Sequence, residues 1–281
     1  MKIIDLTHTI SEDMPVYPGT EPPMLKPANT YEKDGFRETL LSLYSHTGTH
    51  VDPPAHLFAD RTTLDALPIE QFAGKALVID CTYLAEGEAI RMNELEQAGI
   101  EKAETADFLL FHLGWDKRWG TDSYFGDYPC IDDEVLRFIL STGKKGIGFD
   151  VIGMDPISDT NLPRHKKLFY EHDVINIENL CNLDKCGNDL FWFFALPLKW
   201  KNSCGTARRS EPSRFGYEFR VSLIRRNQES PLTSARGFVI LKTEAHECAV
   251  GSVRHKHAGE RSDAPDACKT DAVTAARKPA I

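Results

Sequence analysis

The stretch from His46 to His56 reads His-Thr-Gly-Thr-His-Val-Asp-Pro-Pro-Ala-His, and it constrains this chain more than any other feature. It gathers three imidazoles and one carboxylate into a short segment. Proteins bind metal ions with such neutral imidazole nitrogens and ionised carboxylates, which converge on one point at about 2.0–2.2 Å. A single histidine is more often a core or surface residue, but packing does not explain a cluster of this density. The stretch therefore predicts a metal site.

The spacing within the cluster suits a shared site. His50 and Asp52 are two residues apart, so on a strand they point to the same face. Gly48 lets the backbone bend, which allows His46 to return to the same point. The two prolines that follow Asp52 cannot donate ladder hydrogen bonds and end the strand. His56 then lies just beyond the ligands, where a proton-transfer group is useful.

Composition places the chain among ordinary globular proteins. The 281 residues are 41% hydrophobic and 27% charged, which is typical of such domains. We expect neither a signal peptide nor a membrane span, because no apolar run reaches about 18 residues. The seven cysteines have no regular spacing and form no Cys-x-x-Cys pair, which favours a reduced, cytoplasmic protein.

Apolar runs predict more strands than helices, and the helices are short. The fold class expected is therefore an α/β single domain with a mixed sheet. An aromatic-rich segment at 114–126 is either a loop that covers a pocket or a hydrophobic patch. We predict a polar loop at 21–34, helices at 93–98 and 132–141, a short helix or loop at 162–172, and strands at 3–8, 36–44, 75–81, 108–113, 145–151, 174–180 and 190–198.

The character of the chain changes after Trp200. The chain carries a net charge of −9, yet its last 80 or so residues are rich in arginine and poor in hydrophobic periodicity. We therefore divide it into a functional domain at 1–205 and a basic tail at 206–281 with a disordered composition. The tail is a natural extension, a reading-frame change or an expression artefact. A nucleic-acid arm is the weakest alternative because acidic residues are interspersed.

The cluster and its flanks resemble the cyclase/kynurenine formamidase family of metal-dependent hydrolases. The matching segments occur in family order within residues 3–203 and lie at 4–8, 15–19, 46–56, 146–150, 155–156, 177–180 and 194–198. The resemblance implies a swivelling β/β/α-type domain that forms a homodimer or homotetramer. It also implies two divalent metals per chain, zinc or manganese. His46, His50 and Asp52 would hold the first, and Asp52 would bridge to a second held by His165 and Glu178.

The resemblance further implies a reaction. The expected activity is hydrolysis of an amide or cyclic amide of a small aromatic substrate by metal-activated water, with His56 as the catalytic residue. Tyr17 would contact the substrate, although formamidases have tryptophan there. Lactam opening of the isatin type, or another ring hydrolysis, therefore stays open, as does a non-catalytic metal- or ligand-binding protein. His172 is a weaker alternative to His165. A small molecule is the expected partner, and neither nucleic acid nor a membrane is.

Overall fold

The computed structural model of the protein describes residues 2–170, 172–207 and 211–213. Most of the predicted tail at 206–281 therefore lies outside the described residues. The strands are β1 Met24–Asn29, β2 Glu38–Ser42, β3 His50–Asp52, β4 Ala73–Asp80, β5 Ala89–Ile90, β6 Phe108–His112, β7 Cys130–Ile131, β8 Gly146–Phe149, β9 Ile175–Glu178, β10 Phe191–Phe194, β11 Thr206–Ala207 and β12 Glu211–Ser213. The helices are α1 Tyr31–Asp34, α2 Met92–Ala98, α3 Ile100–Thr105, α4 Asp133–Ser141 and α5 Pro163–Tyr170.

One mixed sheet organises the domain. Its strand order is β11-β3-β9-β8-β6-β4-β10-β12. The four strands β4, β6, β8 and β9 run parallel to one another, and β3 and β10 join them antiparallel at either side. The short strands β11 and β12 add the two edges. This arrangement confirms the predicted α/β domain with a mixed sheet and short helices.

Burial explains why the central strands are continuously apolar. Phe108, Leu109, Leu110 and Phe111 of β6 are all fully buried, since a parallel sheet is covered on both faces. The helix α4 packs on one face through Val135, Leu136 and Ile139, which lie at helical spacing;. Asp132 caps this helix, because its carboxylate accepts hydrogen bonds from two backbone N–H groups of the first turn;.

Two predictions for the first 45 residues were wrong in detail. The segment predicted as a strand at 3–8 forms isolated bridges rather than a strand in the described part of the chain, at Ile3 and at Thr7, and the bridge at Thr7 is to Leu180. The segment predicted as a polar loop at 21–34 instead contains β1 and α1. The strands β1 and β2 form an antiparallel hairpin whose Leu40 and Leu41 are 60% and 54% exposed. Within the described residues, no helix is long and apolar enough to cross a membrane.

The topology brings the histidine cluster to one end of the sheet. Because β3 runs antiparallel to β9, His50 lies directly opposite Glu178 in the register. The carboxyl ends of the parallel strands β6, β8 and β9 lie at this same end, and Asp150 and Asp155 follow β8. Polar side chains at the carboxyl ends of parallel strands are where α/β sheets bind ligands.

Candidate metal centre and active site

A cavity of about 340 Å³ is lined by the residues that the sequence predicts for the site, apart from the alternative His172. Residues 20, 44, 45, 152, 153, 155 and 162 also contribute to its wall. The predicted site residues that line it are Tyr17, His46, His50, Asp52, His56, His165 and Glu178. His172, the weaker alternative to His165, instead lines a separate cavity beside α4 and α5. The tertiary structure thus favours His165 over His172.

The β3–β9 pair forms the floor of the site. The Nε2 atom of His50 lies 3.2 Å from Oδ1 of Asp52 and 3.4 Å from Oε2 of Glu178. The Nδ1 atom of the same ring lies 2.8 Å from the carbonyl oxygen of Gly48. A hydrogen bond from Nδ1–H to that carbonyl would leave Nε2 as the lone-pair nitrogen that faces the carboxylates.

The backbone bend at Gly48 brings the imidazole of His46 to the carboxylate of Asp52. Its φ of 64° lies in the left-handed region, which glycine adopts at little cost. The Nδ1 atom of His46 then lies 2.6 Å from Oδ1 of Asp52. Burial is the largest single influence and lowers the pKa of His46, but the charge of Asp52, the hydrogen bonds to Asp52 and Cys204 and the charge of Glu178 together outweigh it and raise the pKa to about 10. The left-handed φ of Gly48 and the contact between His46 and Asp52 confirm the bend that was predicted at Gly48.

Helix α5 brings His165 to the opposite side of Glu178. The His165 Nε2 atom is 3.1 Å from Oε1 of Glu178. Its Nδ1 atom is 2.7 Å from Oδ2 of Asp155, whose oxygens also accept the backbone N–H groups of Arg164 and His165 at 3.0 Å. A carboxylate on the far nitrogen fixes the orientation of a ligand imidazole.

Sequence reasoning assigned no role to two polar residues of this site. Asp155 follows β8 at the end of the sheet where the ligands gather, which is the signal that could have identified it. Asn176 is two residues before Glu178 in β9 and so shares its face. The Asn176 amide donates to Oε1 of Glu178 at 2.7 Å and to Oδ2 of Asp52 at 3.3 Å. Both residues therefore hold the carboxylates and imidazoles of the site in place.

His56 lies in a 3₁₀ turn, Pro54–His56, at the rim of the cluster. Its ring centroid is 4.0 Å from that of His46 and 6.3 Å from that of His165. Burial is the main influence on His56, and with the neighbouring imidazoles it outweighs the Asp52 charge and lowers the pKa to about 4. The ring is therefore neutral at neutral pH and can accept a proton.

The donor set fits a divalent cation. Two groups of three side chains each place one donor atom within 4.8 Å of the others: His46, Asp52 and His56, and His50, Asp52 and Glu178. Mixed imidazole and carboxylate donors suit zinc and manganese. Asp52 belongs to both groups and is 1% exposed. His165 lies next to the second group, because its Nε2 atom contacts Oε1 of Glu178.

Of the two alternatives for the aromatic segment at 114–126, the structure favours the hydrophobic patch over a loop that covers a pocket. Trp115 and Tyr124 are 3% and 0% exposed and belong to the hydrophobic core. The indole N–H of Trp115 donates to the backbone oxygen of Tyr124 at 3.0 Å. This hydrogen bond holds the Trp115 ring in the hydrophobic core. The aromatic rings that line the cavity are instead Tyr17 and Tyr44, which are 40% and 53% exposed.

Gly205→Ala is expected to weaken metal binding by about 10- to 100-fold, the range seen when a ligand's support is lost. A Cβ atom at this position would overlap the imidazole of His46 and lie 2.5 Å from its Nε2 atom. The measurement is zinc affinity of the metal-free chain by competition with a chromogenic chelator. Lys201→Ala, which changes an exposed residue shortly before Gly205, is the control. Equal affinities for the wild type and Gly205→Ala would contradict the prediction.

Asp155→Asn is expected to lower both metal affinity and kcat/KM by about 10- to 100-fold. The single amide oxygen can still accept one of the two backbone N–H groups of α5, but it cannot act as the anionic acceptor for Nδ1–H of His165. Metal content by elemental analysis and steady-state kinetics measure the two effects. Asp159→Asn, in the same loop and bonded only locally to Asn161 among the described contacts, should retain both. Unchanged affinity in Asp155→Asn would remove Asp155 from the support of the centre.

Comparison with protein families gives a match to the cyclase family over residues 4–156. Among curated proteins, the chain is 30% identical over 209 residues to a kynurenine formamidase of Bacillus mycoides. That alignment covers 74% of this chain and 95% of the relative. A kynurenine formamidase of Erythrobacter litoralis is 28% identical over 199 residues, with 70% of this chain and 87% of the relative covered.

Solved structures with the same fold include isatin hydrolase A from Labrenzia aggregata bound to benzyl benzoate. It has a TM-score of 0.68 at 25% identity and covers 75% of this chain and 93% of its own. An isatin hydrolase bound to the product analogue thioisatinate has a TM-score of 0.69 at 22% identity, covering 75% and 91%, and supports the fold alone. A potential metal-dependent hydrolase with cyclase activity has a TM-score of 0.58 at 25% identity, covering 75% and 96%.

Proposed function

The chain belongs to the cyclase family, and from this membership we propose that it is a metal-dependent amidohydrolase. The substrate is a small aromatic amide or cyclic amide whose C–N bond is cleaved by water. One observation carries the proposal: imidazoles and carboxylates from β3, β9 and α5 converge with His56 on a single cavity. The similarity to kynurenine formamidases and to isatin hydrolase A supports the reaction class.

The residues that would hold the cation are His46, His50, Asp52 and Glu178, with His165 beside Glu178. We propose two cations per chain, zinc or manganese, because two groups of donors share Asp52. A bound cation of this kind polarises a substrate carbonyl and lowers the pKa of water towards about 7. The protein fixes the donors in advance, since Asp155 and Asn176 hold their orientations.

His56 is the proposed general base and acid. Its neutral ring can take a proton from the attacking water, and it can return that proton to the leaving nitrogen. Such proton transfer contributes about 10²- to 10⁴-fold to a rate. The position at the rim of the cluster supports this role, because the ring faces the cavity and contacts His46.

Substrate binding is assigned to the outer part of the cavity. The rings of Tyr17 and Tyr44 and the apolar side chains of Ile152 and Leu162 line it. Aromatic rings stack with a planar substrate, and a cavity of about 340 Å³ lies within the usual range for small-molecule sites. These features support a small aromatic substrate.

The test is turnover of N-formylkynurenine and of isatin by protein purified without chelator, before and after metal removal. Loss of turnover on chelation, with recovery on adding zinc or manganese, is the expected result. Preference between the two substrates separates formamide hydrolysis from the second candidate, lactam opening, which the similarity to isatin hydrolase A favours. Metal bound without turnover of either substrate would argue against the proposed chemistry, and absence of metal after reconstitution would refute the centre.

The exposed hairpin supports a further proposal, that the protein forms a homodimer or homotetramer through β1 and β2. Leu40 and Leu41 of β2 are more than half exposed, as is Tyr44 just beyond it, and contiguous exposed apolar side chains mark interaction surfaces. Leu40→Ser with Leu41→Ser is expected to shift the protein towards monomer in sedimentation velocity. Ile69→Ser, which is 53% exposed elsewhere on the chain, is the control. An unchanged sedimentation coefficient in the double variant would exclude the hairpin as the interface.

A further inference from the structure

A second group of potential metal donors lies outside the cavity described above. His112 is the last residue of β6, Asp150 directly follows β8, and Asp116 lies in the 3₁₀ turn Trp115–Arg118. One donor atom from each of these three side chains lies within 4.8 Å of the other two. The group shares no residue with the proposed active centre.

Asp150 is held rigidly in this group. Its side chain is fully buried, and its two oxygens accept the backbone N–H groups of Leu113 and Trp115 at 2.9 Å and 3.1 Å. Burial is the main cause that raises the pKa of Asp150 to about 7, and the nearby charge of Asp116 adds to it. Two buried carboxylates side by side destabilise each other unless a proton or a cation lies between them.

Asp116 supplies the observation that points to a ligand. Its side chain is only 5% exposed, and its Oδ2 atom accepts hydrogen bonds from the backbone N–H of Asn182 at 3.1 Å and from Nζ of Lys117 at 3.2 Å. Its Oδ1 atom is buried and has no hydrogen-bond partner among the described residues. The Lys117 ammonium, on a side chain that is 60% exposed, therefore pairs with Oδ2 of Asp116 and leaves Oδ1 without a hydrogen bond from the described residues.

One residue of the group, His112, is partly exposed. This residue lines a cavity of about 520 Å³ whose wall also carries the carboxylates of Asp80, Glu94 and Asp184. Lys102 is the cation of that wall in the described part of the chain, and its Nζ atom is 2.8 Å from Asp189, so it is already paired. The cavity is therefore acidic and would attract a cation. Burial lowers the pKa of His112, so the ring is in the neutral form that binds metals.

We propose that His112, Asp116 and Asp150 form a further binding site for a divalent transition-metal cation. One imidazole nitrogen and two carboxylate oxygens are the donor set of zinc and manganese sites, and water from the acidic cavity would complete the coordination. The cation would neutralise the two buried carboxylates and satisfy Oδ1 of Asp116. None of His112, Asp116 and Asp150 lines the cavity of the proposed active centre, and the two donor groups share no residue, so the proposed site is separate from that centre.

The test compares zinc bound per chain in the full-length protein and in three variants. Each protein is stripped with chelator, incubated with Zn²⁺, passed through a desalting column and analysed for zinc and protein. His112→Gln and Asp116→Asn are each expected to bind one equivalent fewer than the wild type and to keep its turnover. Asp184→Asn is the matched control, because it removes a carboxylate from the same cavity but not from the donor group; it should bind as the wild type does.

Thermal unfolding of the stripped proteins shows whether the variants fold. If Asp116→Asn fails to fold, the zinc content of His112→Gln tests the proposal. The ring of His112 is partly exposed, so its replacement is expected to disturb folding less. Zinc content equal to the wild type in a folded His112→Gln would overturn the proposal. Loss of turnover together with zinc would also overturn it, because the group would then belong to the active centre.

Discussion

Asp52→Asn is expected to lower kcat/KM by about 10³-fold or more and to remove metal from the active centre. The carboxylate of Asp52 is common to both donor groups, and its Oδ1 atom lies 2.6 Å from His46 and 3.2 Å from His50. A bound cation supplies several kcal/mol of transition-state stabilisation, and each 1.36 kcal/mol is a factor of ten. The neutral amide keeps the size of the side chain but loses its charge.

The effect of Asp52→Asn is measured as zinc or manganese per chain by elemental analysis, alongside turnover of N-formylkynurenine and isatin. Asp122→Asn, an exposed aspartate in the aromatic-rich segment, is the control and should behave as the wild type. Removal of a buried carboxylate between two imidazoles also predicts a changed unfolding temperature for the metal-free chain. Full metal content with full turnover in Asp52→Asn would show that the cluster is not the catalytic centre.

His56→Ala is expected to lower kcat by about 10²- to 10⁴-fold, which is the usual contribution of general acid–base catalysis. Because the pKa of His56 is lowered to about 4, its ring is a neutral acceptor across the neutral pH range. KM should change less than kcat, since the tyrosines at the outer part of the cavity rather than His56 are assigned to substrate binding.

Metal content distinguishes two roles for His56. As a base, its loss leaves the metal content unchanged; as a ligand of the group with His46 and Asp52, its loss also removes metal. Elemental analysis of His56→Ala beside its kinetics therefore separates the roles. His172→Ala is the control, because His172 lines a different cavity. Wild-type kcat in metal-loaded His56→Ala would exclude His56 as the base.

Local patterns predicted most of the elements near the site. The apolar runs at 108–113, 145–151 and 174–180 contain β6, β8 and β9, because strands buried on both faces must be apolar along their whole length. The helix α4 follows its apolar spacing and its capping aspartate. Among the first 45 residues, the strand predicted at 36–44 contains β2, but β1 was not predicted, since the hairpin of β1 and β2 has no buried face that would give β1 a hydrophobic alternation.

The sequence by itself predicted that His46, His50 and Asp52 share one site, because one strand and one glycine bend bring three donors within seven residues together. Only the tertiary structure decided between His165 and His172, since the docking of α5 beside β9 aims one histidine at Glu178 and leaves the other in a separate cavity. The same holds for Asp155 and Asn176, whose roles depend on which side chain lies within hydrogen-bonding distance. It holds too for Asp116, whose buried oxygen becomes significant only beside His112 and Asp150.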